Sequence, residues 1–268
     1  MNVATESLIV FESASLESTL LQRPVTVDFY LPVNVANPQE MSLLLINDGQ
    51  DMPKFGLDTL LNSLYEEGAI KPVMCVAIHA GPERRMEYGT AITPDYKGRG
   101  AKAALYTQFI FDELLPYIRD TYKVTSFRKK LFAGFSLGAL SALDIVWNHP
   151  HEFSAAGVFS GSLWWRTRDQ DDELYSEDAD RIMHQQVRNG VYHPWLKFFF
   201  QCGALDEEKD RNSNGIIDSI DDTLDLIKEL KAKGYADENI TYLLLEDGKH
   251  DVETWGKAMP FFLKWAFC

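Results

Sequence analysis

The order of apolar and polar residues predicts six buried strands that alternate with helices. Continuous apolar runs, typical of strands covered on both faces, occupy residues 41–46, 71–78, 129–135, 155–160, 197–202 and 240–245. Apolar residues at helical spacing occupy residues 57–67, 103–120, 140–147 and 222–233. Strands that alternate with helices indicate a parallel sheet with right-handed crossovers, so the pattern predicts an α/β fold.

Two segments depart from this alternation. Residues 7–12 and 24–31 are both strand-like, and the second alternates apolar and polar positions, which predicts a hairpin at one edge of the sheet. Residues 168–190 are polar, and we expect them to be helical and to form a solvated face, with a possible second role as a cap over the site.

A G-x-S-x-G pattern, Gly134 to Gly138, lies between the third run and the helix that follows it. In a strand-to-helix turn of this kind the serine backbone is strained, and the two glycines leave room for the chain to reverse. The context predicts an exposed, nucleophilic Ser136, whereas the five-residue pattern by itself is equally compatible with a packing turn.

A nucleophilic serine needs a base beside it and a carboxylate beside the base. Asp206 and His250 each follow a predicted strand, and together with Ser136 they occur in the order Ser, Asp, His that this architecture requires. The imidazole removes the serine proton during attack, and the carboxylate orients the imidazole and stabilises its protonated form.

Other residues remain alternatives for these roles. His79 also follows a strand, but it precedes the serine in the chain, which the usual order disfavours. His149 and His151 flank Pro150 at a predicted helix end, and surface positions are predicted for His184 and His193 in the polar segment. The same loop as Asp206 offers Glu207, Glu208 and Asp210, whereas Asp206 is nearest the strand end, where its position is best fixed.

The oxyanion of the reaction needs two backbone N–H donors. One is predicted to be Leu137, the residue after the nucleophile. The second should come from the loop after residues 42–46, where Gln50 is our choice, although any residue from 48 to 51 satisfies the requirement.

Residues 210–221 independently match a calcium-binding loop, with glycine at its sixth position. The predicted ligands are Asp210, Asn212, Asn214, the carbonyl of Ile216, Asp218 and Asp221. Asp221 replaces the usual glutamate, and the preceding residues 203–209 resemble a loop instead of the usual helix. The alternative is an acidic turn that caps the following helix.

Residues suited to bind substrate are fewer. Trp164 and Trp165 follow a predicted strand, where adjacent tryptophans serve either core packing or the wall of an apolar pocket. Arg84 is a candidate partner for an anionic group, but a salt bridge to Glu87, three residues on, is the interpretation that we favour.

Composition restricts the class of protein. A length of 268 residues with 46% hydrophobic residues suits one globular domain over residues 1–268. The net charge of −14 argues against nucleic-acid or anionic-membrane partners. Residues 1–18 lack the pattern of a signal peptide, and the three cysteines are an odd number. These two features predict a cytoplasmic location, although a mature exported form would have the same features.

Several of these segments together resemble the putative esterase family of α/β-hydrolases, which includes enterochelin, feruloyl and acetylxylan esterases, S-formylglutathione hydrolase and mycolyltransferases. The resemblance covers about residues 20–266 and is carried by residues 45–50, 84–88, 134–138, 159–165 and 248–251, with Trp255. It implies an α/β-hydrolase fold and a Ser136, Asp206, His250 triad that needs no cofactor. The expected substrate is an ester of a small or aromatic acyl group, a sugar ester or a siderophore-type ester; the alternatives are acyl transfer by the same triad and a non-catalytic scaffold.

Overall fold

The computed structural model describes residues 7–33 and 35–268, and its central element is a single sheet. Within this part of the chain the sheet has eight strands in the order β1-β2-β4-β3-β5-β6-β7-β8. The strands are β1 Ile9–Ser18, β2 Arg23–Pro32, β3 Ser42–Asn47, β4 Val73–Ile78, β5 Lys130–Phe135, β6 Ala155–Phe159, β7 Lys197–Leu205 and β8 Ile240–Lys249. Residues 1–18, for which the sequence shows no signal-peptide pattern, lie partly outside the described residues.

The strand pairing confirms the predicted α/β class. From β4 to β8 every neighbouring pair is parallel, whereas β1 and β2 form an antiparallel hairpin whose second strand pairs with β4. The strands β3 and β4 are buried at every position, which explains their continuous apolar sequences. The carboxyl ends of the parallel strands therefore meet at one edge of the sheet.

Helices cover both faces of this sheet. They are α1 Leu57–Glu66, α2 Arg84–Glu87, α3 Ala103–Gln108, α4 Leu115–Tyr122, α5 Leu137–Asn148, α6 Glu177–Asp180, α7 Ile182–Asn189, α8 Asp218–Lys233 and α9 Val252–Phe267. A π-helical segment, Phe109–Leu114, joins α3 to α4. One hydrophobic cluster contains side chains of α3, α4, α5, α7 and α8, and a second contains those of α1 and α9. Two buried layers on one sheet form the core.

The polar segment 168–190 is only partly helical, which corrects the sequence prediction. Helix is confined to α6 and α7, and an isolated bridge joins Arg166 to Arg181. The carboxylates of Asp169 and Asp172 accept hydrogen bonds from backbone N–H groups two residues later. Such local bonds give the backbone an alternative to helix, and this explains the difference.

His184 is also in an unexpected place. It lies in α7 with a relative exposure of 1%, instead of on the surface as predicted. Its Nε2 is 2.9 Å from the carbonyl oxygen of Asp222 in α8. Burial lowers the pKa of His184 to about 3, so the ring packs between the two helices in its neutral form.

The cysteines behave as the sequence indicates. Cys75 and Cys202 are buried in strands, Cys268 is exposed, and all three are free thiols. The cytoplasmic location itself stays a prediction. In the part of the chain that is described, no helix has the length and apolar character needed to cross a bilayer.

Candidate active site

The turn between β5 and α5 has the strained geometry that G-x-S-x-G predicts. Ser136 has φ 54° and ψ −119°, a conformation that non-glycine residues rarely adopt. A Cβ atom at Gly134 would overlap the carbonyl group of Gly138, so only glycine lets the chain reverse this closely. The half-buried Ser136 is thereby placed directly before the first residue of α5.

The N-terminus of α5 also places N–H groups beside the serine. Leu137 is the first residue of this helix, so its N–H has no partner in a preceding turn and is available to a negative oxygen. A second hydroxyl lies close by, because Ser162 Oγ is 3.4 Å from Ser136 Oγ. Ser162 is not among the residues predicted for the site; its signal in the sequence is its position shortly after the neighbouring strand β6.

Asp206 lies directly after β7, and its carboxylate is unusual. Both of its oxygens are buried, and neither has a hydrogen-bond partner among the described residues. Burial raises the pKa of Asp206, and the nearby Ser160 and His250 oppose that shift. A buried carboxyl group without a partner requires an explanation, and here it lies near a histidine.

His250 follows β8 and lies at an exposed position just before α9. Its ring packs edge-to-face on Trp255 at 5.4 Å, and Trp255 stacks on Phe135, the neighbour of Ser136, at 5.0 Å. The pKa of His250 is lowered, chiefly because the ring is partly dehydrated; Asp206 opposes this and Arg84 adds to it.

These three side chains come from the ends of β5, β7 and β8, at the same edge of the sheet. No hydrogen bond joins His250 to Ser136 or to Asp206 within residues 7–33 and 35–268. Catalytic hydrogen bonds are often long or absent in a free enzyme and form when substrate is bound. The placement of the three side chains is compatible with a catalytic triad, and the triad therefore stays a prediction.

A charged pair fixes the loop after β3. Asp48 has a left-handed backbone, with φ 62° and ψ 44°. Its carboxylate accepts two hydrogen bonds from Arg84, at 2.6 Å from Nε and 2.7 Å from Nη2. The prediction of a salt bridge between Arg84 and Glu87 is therefore wrong. Glu87 pairs instead with Arg23, whose Nε is 2.8 Å from Glu87 Oε1.

Further hydrogen bonds tie this loop to the serine turn. The side-chain amide of Asn47 donates to the carbonyl oxygen of Gly138 at 2.7 Å and accepts from the hydroxyl of Tyr106 at 2.5 Å. The Asp48 N–H donates to the Tyr88 hydroxyl at 3.3 Å. Asn47 and Asp48 thus hold the loop after β3 in place. The signal for this in the sequence was their position in a turn that follows a buried strand.

The predicted second oxyanion donor, Gln50, lies in the first turn of the 3₁₀ helix Gly49–Phe55. Its side chain is exposed, and its Oε1 accepts from the N–H of Ala80 at 2.9 Å. The role of its backbone N–H is untested and stays a prediction.

The rival base His79 has a different carboxylate partner. Its Nε2 is 2.6 Å from Asp28 Oδ2, and Asp28 also accepts from Ser13 at 2.6 Å. The His79 ring packs against Gly49, where a Cβ atom would lie 2.9 Å from its Cδ2. His79 is therefore tied to β2, beneath the loop that holds Gln50.

The two tryptophans of the predicted pocket differ in their environment. Trp164 is half-buried and lies under the guanidinium group of Arg99, at 4.9 Å from its ring centroid. Trp165 has a relative exposure of 0%, because it packs against Gly89 and Gly100. Trp165 is thus a core residue that cannot touch a substrate, which corrects its assignment to the pocket wall.

The predicted calcium loop brings its polar side chains together, but they bond to one another. Asp210 accepts from the N–H groups of Asn214 and Gly215, at 3.1 and 2.8 Å. Asp221 accepts from the side-chain amides of Asn212 and Asn214, at 2.7 and 3.2 Å.

Asp218, the ninth residue of this loop, accepts from the N–H of Arg211 at 2.8 Å. Nowhere in the described chain do three or more His, Cys, Asp or Glu side chains gather as they would around a metal. The loop offers the oxygen atoms that suit Ca²⁺, but binding would have to replace these internal bonds.

Comparison with solved structures supports the fold. The enterobactin esterase of Shigella flexneri superimposes with a TM-score of 0.71 at 20% identity, covering 96% of this chain and 58% of that one. A ferulic acid esterase gives 0.71 at 18% identity and covers 97% of both chains. An IroE-like serine hydrolase from Shewanella oneidensis gives 0.71 at 20% identity, covering 96% of this chain and 79% of that one. At these identities the likeness shows a shared fold.

Sequence comparison gives the family directly. No curated protein sequence matches this chain. The family model described as "Putative esterase" matches residues 18–265, which is most of the chain and includes β3, the serine turn and the first part of α9. This protein therefore belongs to the putative esterase family.

Proposed function

We propose that this protein is a serine carboxylic-ester hydrolase that works through an acyl-enzyme. The observation that carries the proposal is the strained turn that holds Ser136 just before α5, with His250 and the buried carboxylate of Asp206 at neighbouring strand ends. Family membership supports the same reaction class.

In the proposed reaction His250 takes the proton of Ser136 while Oγ bonds to the ester carbonyl carbon. The carbonyl oxygen becomes negative and is stabilised by the N–H of Leu137 and, as predicted, that of Gln50. The C–O bond then breaks, and the leaving alcohol receives the proton from His250. Water, activated by the same imidazole, releases the acid and restores the serine.

The charge states of the two partners suit this sequence. A lowered pKa keeps His250 neutral near pH 7, which is the form that accepts a proton. Burial disfavours the charged form of Asp206, so a hydrogen bond from His250 formed on substrate binding would stabilise its carboxylate.

We further propose that the ester contains an aromatic, sugar or siderophore-type part. The half-buried Trp164 offers an aromatic face near Ser162. The enterobactin esterase and ferulic acid esterase that share the fold are named for esters of this kind.

The test is covalent labelling followed by turnover. A fluorophosphonate should label the wild type, with the label found by mass spectrometry on Ser136, and short p-nitrophenyl esters should be hydrolysed. Ser136→Ala should lose both, whereas Ser126→Ala, at an exposed position, should keep both. An unlabelled wild type would contradict the proposal. An acceptor alcohol added to the assay would reveal acyl transfer as a transesterified product.

A separate structural proposal concerns residues 210–221. We propose that Asp210, Asn212, Asn214, Ile216, Asp218 and Asp221 bind Ca²⁺, because carboxylate and amide residues follow one another in the loop in the calcium-loop order. Millimolar calcium should raise the Tm relative to chelator, and Asp210→Asn should reduce that increase. An equal Tm in both solutions would reject calcium binding.

A further inference from the structure

A cavity of about 240 Å³ lies beside the candidate active site, between the loops that follow β6 and β7. Trp164 lines it and is two residues from Ser162, whose Oγ lies 3.4 Å from Ser136 Oγ. Glu207 also lines it and directly follows Asp206. These neighbours in the chain place the cavity next to the candidate active site.

Positive charge is concentrated in this cavity. Its lining includes the five basic residues Lys97, Arg99, Arg166, Lys209 and Arg211. Only two carboxylates line it, those of Glu207 and Asp218. The whole chain has a formal charge of −14, so this cleft is a local exception that would attract anions against the overall repulsion.

Two of the five basic residues are already paired and form fixed walls. Arg99 Nε is 2.7 Å from Asp95 Oδ2, and its guanidinium lies over Trp164. Arg211 Nε is 2.7 Å from Glu177 Oε1. Because these two charges are satisfied within the protein, they shape the cavity more than they attract a ligand.

The other three have no such partners. Lys97, Arg166 and Lys209 form no ion pair with any residue in the described ranges 7–33 and 35–268. The Nε of Arg166 is buried and has no hydrogen-bond partner in that part of the chain. A buried donor of this kind costs free energy unless a ligand or solvent satisfies it.

Aromatic rings surround the unpaired guanidinium. The Cζ atom of Arg166 is 5.7 Å from the ring centroid of Tyr96 and 5.8 Å from that of Tyr175. The half-buried Asp169 is near enough for Arg166 and Lys97 to contribute to its lowered pKa, after the larger effect of Tyr96, but it forms no ion pair with them. A ligand that combines an aromatic face with a negative charge fits this set of groups.

We propose that this cavity is a subsite for a negatively charged aromatic group of the substrate, such as an aryl carboxylate, held chiefly by Arg166. Lys97 and Lys209 add positive charge at the exposed side, and Trp164 contacts the ring. This inference rests on the proposed ester hydrolysis, because it specifies which esters the site accepts.

Two pairs of probe esters test the proposal. For an anionic acyl group, the pair is p-nitrophenyl hydrogen terephthalate and p-nitrophenyl 4-methylbenzoate, which have similar size and the same leaving group. For an anionic alcohol part, the pair is 4-carboxyphenyl butyrate and phenyl butyrate. In at least one pair, kcat/KM should be higher for the anionic ester, and this preference should fall as salt is added.

Variants then identify the residue responsible. Arg166→Gln should lower kcat/KM for the preferred anionic ester by about 10–100-fold, the value of a charge-assisted contact, and leave its neutral partner nearly unchanged. The exposed double variant Lys97→Gln/Lys209→Gln should lower the preference less and reduce its salt dependence. Lys228→Gln, which removes one exposed positive charge outside the cavity, is the matched control.

The outcomes separate this inference from the proposed function. Equal rates for both members of both pairs, or losses by Arg166→Gln that are equal for anionic and neutral esters, would overturn the subsite. If none of the four esters is hydrolysed and Ser136 is not labelled, the hydrolase proposal fails. The subsite is then decided by titrating the tryptophan fluorescence with monomethyl and dimethyl terephthalate. Tighter binding of the monoanion that Arg166→Gln abolishes would support it, and equal binding would reject it.

Discussion

Asp48→Asn should release the loop after β3 from Arg84 while leaving the backbone conformation of the loop accessible. Asn tolerates the left-handed region about as well as Asp, so the φ of 62° at this position adds little strain. The substitution removes the carboxylate charge that pairs with Arg84. Any loss can therefore be assigned to the ion pair instead of to the turn.

The expected magnitude follows from the geometry of the pair. Two charge-assisted hydrogen bonds, at 2.6 and 2.7 Å, are lost or weakened, and each is worth about 1.5–3 kcal/mol when buried. The Asp48 side chain is only 4% exposed, but that of Arg84 is 32% exposed and can rehydrate. We therefore expect a loss of about 2–4 kcal/mol and a fall in Tm of about 4–12 °C.

Activity should fall as well, because the loop that supplies the predicted second oxyanion donor would no longer be fixed. A displacement of this kind lowers kcat/KM by about 10–100-fold, mostly through kcat. Tm by scanning calorimetry and kcat/KM on p-nitrophenyl butyrate measure the two effects.

Glu87→Gln is a matched control. Glu87 is 1% exposed and pairs with Arg23 through two hydrogen bonds, at 2.8 and 2.5 Å, neither of which involves the loop after β3. The Glu87→Gln variant should lose about as much stability as Asp48→Asn and keep the wild-type turnover. If Asp48→Asn and Glu87→Gln lose stability equally and both retain wild-type kcat/KM, the Asp48–Arg84 pair has no role in positioning the catalytic loop.

Three further substitutions follow from the pKa shifts. Asp206→Asn should lower kcat by about 10³–10⁴-fold and leave Tm unchanged or raised, because a buried carboxylate without a partner is removed; a large fall in Tm would contradict this. Arg84→Gln should move the acid limb of the kcat/KM profile to higher pH, because loss of the guanidinium and an unpaired Asp48 both raise the pKa of His250; an unshifted limb would refute the coupling. His184→Gln should make the free energy of unfolding fall less steeply as the pH is lowered. The folded-state pKa of His184 is lowered to about 3, so its contribution is complete above the ordinary value of 6.5 and is lost as the pH falls. Between pH 6 and 4 the wild type should lose up to about 1.4 kcal/mol more per pH unit than the variant in urea titrations, and parallel curves would contradict the assignment.

The sequence by itself determined the strands, the class of fold and the conformation of the serine turn. A strand buried on both faces must be apolar throughout, so β3 and β4 are visible as continuous runs. The Gly134 to Gly138 pattern is equally local, because steric limits on five consecutive residues fix the turn. Chain order then selected Asp206 and His250 among the acidic and histidine candidates.

Only the tertiary structure decided which side chains meet across the chain. The spacing of three residues favoured a salt bridge between Arg84 and Glu87. In the folded chain Arg84 pairs with Asp48, which follows β3, and Glu87 pairs with Arg23, which begins β2. Burial likewise separated Trp164 from Trp165, which are indistinguishable in sequence, because glycines 89 and 100 create the space for one ring. Local sterics and hydrophobic periodicity act within a few residues, whereas ion pairs, packing and cavities depend on segments that only the folded sheet brings together.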